Sequence, residues 1–390
     1  MADAVPFTLR WGIMATGHVA GRFVKDLLTD PSTRGVRDVR HQVAAIASSS
    51  SLQKAADFCA KVKAPYKVKL YASYAELVVD SDIDIVYIAT PVSHHFQNAM
   101  MAIEAGKAVL CEKALTVTAS QARALVTAAR ARRVFLLEAV WTRFFPLCAK
   151  IRALVASGAI GTVYRVIADN SLNLESSEGR GELDNSHRLV KLDLGGGAML
   201  DLGIYSLTWV MQILYHLQQE GEKETPCVVS AVNKYSTGVD EMASFIIQFP
   251  RHKTMGIGMT SLRIASGADY DFTAGPPVRI QGSAGEIQVF GPAFKPNKYC
   301  VIRKDGHGRI ETEECTIPKD GGRDNWGHGL YWEADECARC IRDGELESQT
   351  LPLDETILTM DIMESILSGG EVRYPESITN QVYQSGGGLA

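Results

Sequence analysis

Two stretches of the sequence hold side chains of the right type to move a proton. "LCEKAL" sets Glu112 beside Lys113, and "LGGGAMLDLGIY" sets Asp201 and Tyr205 four residues apart, on one face of a helix. An ammonium lowers a phenol's pKa toward working pH, and the phenol then exchanges a proton with a substrate hydroxyl. An acid, a phenol and a lysine can together form such a proton-transfer site. A third stretch, "IATPVSHH", ends an apolar run with Thr90-Pro91 and His95. Pattern alone favours a plainer account of the first two: a surface salt bridge and a half-buried tyrosine.

The elements that must position these residues alternate strand and helix through the first half of the chain. Short runs rich in Val, Ile and Ala at 9–15, 41–50, 83–90, 108–113 and 134–140 read as buried parallel strands. Helical stretches separate them, which predicts right-handed βαβ units and a doubly wound parallel sheet, an α/β fold. In such sheets ligands sit outside the carboxyl ends of the strands. Thr90-Pro91 and Glu112-Lys113 both fall at such ends.

After "WTRFFP" at 141–146 the pattern changes to segments of period 2 joined by Gly, Pro and Asp turns. That predicts a large, mainly antiparallel open sheet with one helix, about 196 to 219, lying on it. The chain therefore divides into a dinucleotide-binding domain, 1–145, and an α+β domain for substrate binding and dimerisation, 146–390. One sheet face lacks helices to bury it, so a homodimer with two-fold symmetry is expected.

"GIMATGHVAG" follows the first strand and opens the first helix. Aligned to the dinucleotide fingerprint G-x-G-x-x-G/A it reads Ala15-x-Gly17-x-x-Ala20. Ala15, Thr16, Gly17, His18 and Val19 are thus candidate cofactor contacts, with a pyrophosphate on the free N–H groups of the helix start. An ordinary strand–helix turn is the alternative. The second strand ends in Ser48, Ser49 and Ser50, where an NAD-preferring fold places an acid for the ribose 2′-hydroxyl. Hydroxyls there, with Lys54 one turn away, suit a 2′-phosphate and tilt the expectation to NADP; a serine-rich helix cap is the plainer reading.

Composition narrows the classes. Hydrophobic content of 46% and charged content of 22% are those of a globular protein. A net charge of −5, with scattered Lys and Arg, argues against a nucleic-acid partner. The start of the chain lacks the pattern of a secretory leader, and no apolar run reaches the roughly 18 residues of a membrane span. Eight dispersed cysteines point to reduced thiols and a cytoplasmic protein. Cys337 and Cys340 form a lone C-x-x-C without a second pair, so no metal is expected.

Taken together, "IATPVSHH", "AGKAVLCEKAL", "EAVWTRFFP", "LGGGAMLDLGIY" and "EADECARCIRDG" resemble the Gfo/Idh/MocA oxidoreductase family, in order and along nearly the whole chain. The likeness is greatest to its NADP-dependent sugar and dihydrodiol dehydrogenase branch. It implies that Thr90, Pro91 and His95 line the nicotinamide pocket, with Glu112 and Lys113 at the next strand end. It further implies Lys113, Asp201 and Tyr205 as the catalytic and substrate-binding set, with Tyr205 as the acid–base residue. Trp141 and Arg143, in the "WTRFF" block, are candidate contacts for cofactor or substrate; for Arg143 an interdomain salt bridge is the plainer alternative. The family's Glu-Lys-Pro is here Glu112-Lys113-Ala114. The activity implied is oxidation of a sugar hydroxyl, foremost D-xylose at C1, with a cyclic diol as the alternative substrate. A non-catalytic NADP-binding regulator is the reading from another class, and it would have little need of the Lys–Asp–Tyr set.

Overall fold

The computed structural model describes residues 5–65, 67–174, 183–267, 269, 272–273, 275–304 and 310–384. These form two compact units. The first comprises residues up to Trp141 with Ile317–Thr356 and the segment from Thr379, and the second comprises Thr142–Thr316 with Ile357–Ile378.

The first unit is a six-stranded parallel sheet. Its strands are β1 (Phe7–Met14), β2 (Val39–Ala47), β3 (Lys69–Tyr71), β4 (Ile85–Ile88), β5 (Ala108–Glu112) and β6 (Leu136–Ala139). They lie in the order β3-β2-β1-β4-β5-β6. Helices α1 (His18–Leu27), α2 (Leu52–Lys61), α3 (Tyr74–Val78), α4 (Val92–Glu104) and α5 (Ala119–Arg132) connect them. All four residues of β4 are buried, as expected of a strand covered on both faces. The sequence reading gave no strand at β3, whose exposed Lys69 and half-buried Leu70 and Tyr71 carry no apolar run.

The expected domain boundary at 145/146 left one group of residues on the wrong side. Residues 317–356 group with the first unit, and buried polar contacts explain why. Asp26 of α1 accepts the Trp326 indole N–H at 2.7 Å and the amides of His328, Gly329 and Leu330 at 2.9, 2.8 and 2.7 Å. It so caps the start of the helix Tyr331–Arg342. Arg34 forks onto both oxygens of Asp335 at 2.8 Å, with both side chains buried.

The second unit opens with α6 (Pro146–Ala156) and contains an eight-stranded sheet. Its strands are β7 (Val163–Asp169), β8 (Cys227–Lys234), β9 (Asp240–Phe249), β10 (Thr254–Ser261), β11 (Val278–Gly282), β12 (Gly285–Phe290), β13 (Lys298–Arg303) and β14 (Ile310–Glu314). The order is β14-β13-β12-β11-β7-β10-β9-β8, and only the β7–β10 pairing is parallel. Every residue of α7 (Ile204–Leu214) is buried, with β7 and β10 against it. The helix expected from 196 to 219 is thus shorter, and begins as one turn of π-helix, Met199–Gly203. The segment Leu192–Leu214 is long and apolar enough to cross a membrane by length and composition, but 94% of its most apolar 18-residue stretch is buried within the protein.

Candidate functional site

In the first unit the turn after β1 has the shape a dinucleotide needs. Ala15, at the first glycine position of the fingerprint, adopts φ +92°, a left-handed conformation that L side chains seldom take. This is the tight turn that glycine normally makes. Thr16 leads to Gly17, over which a Cβ would meet nothing within 4 Å, so the backbone there is open to a close ligand. Gly17 begins α1 without any side-chain cap, leaving the first amides, His18 and Val19 among them, to bind an anion. Ala20 is fully buried against the sheet.

At the end of β2, Ser48 is buried while Ser49 and Ser50 are exposed. The Ser50 amide donates to Ser48 Oγ at 3.4 Å, and Ser51 Oγ caps α2 by accepting the Lys54 amide at 3.1 Å. The cap is thus Ser51, and Ser50 Oγ lies 3.5 Å from Ser48 Oγ. Tyr74, which the sequence reading passed over, hydrogen-bonds to Ser49, and burial raises its phenol pKa.

The ends of β4 and β5 are tied together from behind. His95 is 1% exposed, with Nδ1 2.9 Å from the Ala114 carbonyl oxygen and Nε2 2.9 Å from that of Thr90. Burial pushes its pKa down to about 4, so the ring is neutral at physiological pH. A neutral imidazole donates to only one of the two carbonyls. The side chain expected to line the pocket instead braces both walls from the interior. Thr90 Oγ1 accepts from Asn98 at 3.2 Å, and Pro91 stands at the start of α4. Glu112 accepts the Tyr87 hydroxyl at 2.5 Å and the Lys113 amide at 3.2 Å. The Lys113–Ala114 peptide is cis. Beyond it the Leu115 amide donates to Glu138 Oε1 at 2.8 Å. Burial raises the Glu138 carboxyl to about 7. Trp141 stacks on the His328 ring, with centroids 5.1 Å apart and planes 12° from parallel.

In the second unit Arg143 is 1% exposed, and its carbonyl accepts from Arg152 at 3.1 Å. The glycine run before the π-turn is explained by its neighbours. A Cβ on Gly196 would come 2.7 Å from the Leu189 carbonyl oxygen. One on Gly197, whose φ is +126°, would come 2.0 Å from Asp240 Oδ1. The π-turn carries Asp201, and Tyr205 follows in the first turn of α7; such turns recur at functional sites. Tyr205 is 6% exposed, and its ring lies 5.7 Å from that of Phe294. Arg188 reaches Asp201 with two nitrogens, at 3.2 and 3.5 Å. Neither Arg188 nor Asp240 was signalled by sequence, since each acts on a segment outside its own local pattern.

Comparison with known proteins identifies the family. Residues 9–139 match the family described as "Oxidoreductase family, NAD-binding Rossmann fold" (Gfo/Idh/MocA), and residues 148–288 match its C-terminal domain. The chain is 56% identical to D-xylose 1-dehydrogenase (NADP(+)) of Hypocrea jecorina, covering 98% of this chain and 97% of that one. It is 32% identical to human trans-1,2-dihydrobenzene-1,2-diol dehydrogenase, covering 94% and 98%. In fold it is similar to the aldose-aldose oxidoreductase of Caulobacter crescentus, with a TM-score of 0.72, 21% identity and coverage of 93% and 98%. The chain belongs to the Gfo/Idh/MocA oxidoreductase family.

Proposed function

We propose that this chain is an NADP-dependent D-xylose 1-dehydrogenase, which oxidises the C1 hydroxyl of the sugar to D-xylonolactone. The observation that carries the reading is its likeness, along almost the whole chain, to the Hypocrea jecorina enzyme. The first unit suits the cofactor. Open space over Gly17 and the uncapped start of α1 accommodate a pyrophosphate. Where an acid would repel a 2′-phosphate, the chain has Ser49, Ser50 and Lys54.

Bound NADP supplies the hydride acceptor. The protein's own part is to take the hydroxyl proton and stabilise the oxyanion that results. Tyr205 is the general base. Lys113 supplies the positive charge that favours its phenolate and the developing alkoxide. Asp201, oriented by Arg188, accepts from a second sugar hydroxyl. Glu112, His95 and Glu138 hold the strand ends from which Lys113 projects.

The likeness to trans-dihydrodiol dehydrogenases supports a second reading, a cyclic diol as substrate. We further propose a homodimer formed through the open sheet face. A cytoplasmic setting suits its eight free thiols. NADPH fluorescence, followed with pentoses, hexoses and cyclic diols, tests the function. D-xylose is expected to give the highest kcat/KM, and turnover of diols with none of any sugar would favour the second reading.

A further inference from the structure

Asp240, the first residue of β9, is fully buried. Its Oδ2 accepts the Met199 amide at 2.5 Å, and the neighbouring Ala198 amide also favours its ionised form. Its Oδ1 has no hydrogen-bond donor among the described residues and faces the bare Cα of Gly197. Beside it, the half-buried Tyr374 donates its hydroxyl to the Gly196 carbonyl at 2.7 Å, and that hydroxyl, like Asp240 Oδ1, faces the Cβ position of Gly197. Among the described residues no cation contributes to the electrostatics of Asp240, and the Tyr374 phenol interacts with it.

A carboxylate in this position is costly. Buried charge without a counter-ion is strongly disfavoured, and burial raises this carboxyl to about 7. The folded protein therefore holds the proton more tightly than the unfolded chain, where the group titrates near its ordinary 3.8. Stability falls as pH rises between those values, and above about 7 the ionised group carries the full penalty. Hydrogen bonding alone does not require it, because an amide oxygen would serve Oδ2's role and Oδ1 is unused. What a carboxylate adds is negative charge against the amides that open a helix.

Those amides begin the π-turn that bears Asp201 and leads into Tyr205. We propose that Asp240 is a positioning residue, whose carboxylate holds the Met199 amide and so fixes the turn that presents Asp201 and Tyr205. The inference rests on the reading of Tyr205 as general base. Protonation of Asp240 exchanges a charge-assisted acceptor for a weaker one. The turn then loosens, and kcat acquires an acid limb near neutrality.

Asp240→Asn tests this in the full-length enzyme with NADP and D-xylose. The expected result is a kcat lower by about tenfold, loss of the limb near pH 7, an unchanged NADP Kd and a Tm at pH 8 no lower than the parent's. Amide exchange over 198–205, corrected for intrinsic rates, is expected to quicken below pH 7 in the parent and to be fast and pH-independent in the variant. Parent-like kcat and pH profile would overturn the proposal. So would loss of kcat in step with loss of Tm, the mark of a purely structural role. Should the variant not fold, Tyr374→Phe releases the other anchor of the glycine run. A severalfold lower kcat with unchanged NADP Kd supports the proposal there, and parent kcat overturns it. Amide exchange needs no substrate, and Tyr205→Phe tests the base separately, so failure of the underlying reading is told apart from failure of this one.

Discussion

The Arg188 guanidinium lies against both carboxylate oxygens of Asp201, at 3.2 and 3.5 Å. The arginine side chain is 61% exposed and the aspartate 22%, so the pair contributes only about 0–1 kcal/mol to folding. Its value lies in aim: two donors fix the rotamer of the carboxylate proposed above to receive a sugar hydroxyl. Arg188→Met is expected to raise KM for D-xylose about fivefold, the equivalent of about 1 kcal/mol, with Tm and NADP Kd nearly unchanged. An unaltered KM would remove Arg188 from the substrate's surroundings.

Cofactor choice follows from the end of β2. With hydroxyls and no acid at 48–50, NADP is expected to bind at least about tenfold tighter than NAD, a difference of about 1.4 kcal/mol. Ser49→Asp places a negative charge where the 2′-phosphate sits and is expected to reverse much of that preference. Titration of both cofactors against both proteins decides it, and equal affinities in the parent would contradict the account.

Glu138 gives a pH signature of stability. Its carboxyl, ordinarily at 4.5, is raised by burial to about 7, so the folded state binds the proton more tightly. Stability then falls as pH rises from about 4.5 to 7 on this residue's account. Glu138→Gln keeps an acceptor for the Leu115 amide and removes the titration. Its stability relative to the parent is expected to climb across that window, by on the order of 3 kcal/mol at most, and to level off above it. A difference in Tm that stays flat with pH would show that Glu138 does not titrate in this range.

The proposed dimer is tested on the outer sheet face. Val229, Ile246, Ile257 and Ile167 stand directly opposite one another across β8, β9, β10 and β7. Val229 is 67% exposed and Ile246 37%, an apolar row of the kind that marks an interface. Light scattering at micromolar concentration is expected to give a dimer mass, and Ile246→Lys a monomer. A monomeric parent would refute the interface.

What the sequence made legible was local. The parallel strands, the β1–α1 turn and the serine run at β2 each lie within one short pattern, so period and breakers revealed them. Ala15 concealed the glycine-like turn that its φ of +92° now shows. The rest depends on distant partners. Asp26 and Trp326 are 300 residues apart, which is why the helix at 331–342 was assigned to the other domain. Asp240 and Met199 are 41 apart, and no periodicity links a strand's first residue to a helix start. His95 had the expected place at a strand end, but which way its ring turned depended on the carbonyls of Thr90 and Ala114.

The central claim is that Tyr205 removes the hydroxyl proton of a sugar with NADP bound. The measurement that tests it most directly is kcat for D-xylose against pH, for the parent, Tyr205→Phe and Lys113→Met, with NADP Kd as control. An unperturbed tyrosine, with a pKa of about 10, is mostly protonated at neutral pH, so on the proposed mechanism the base relies on Lys113's charge. Tyr205→Phe is expected to lose about 10²–10⁴-fold in kcat while binding NADP as the parent does. Lys113→Met is expected to lose a similar factor, with its residual rate rising toward alkaline pH. A Tyr205→Phe enzyme that keeps most of the parent's kcat and its pH profile would contradict the assignment.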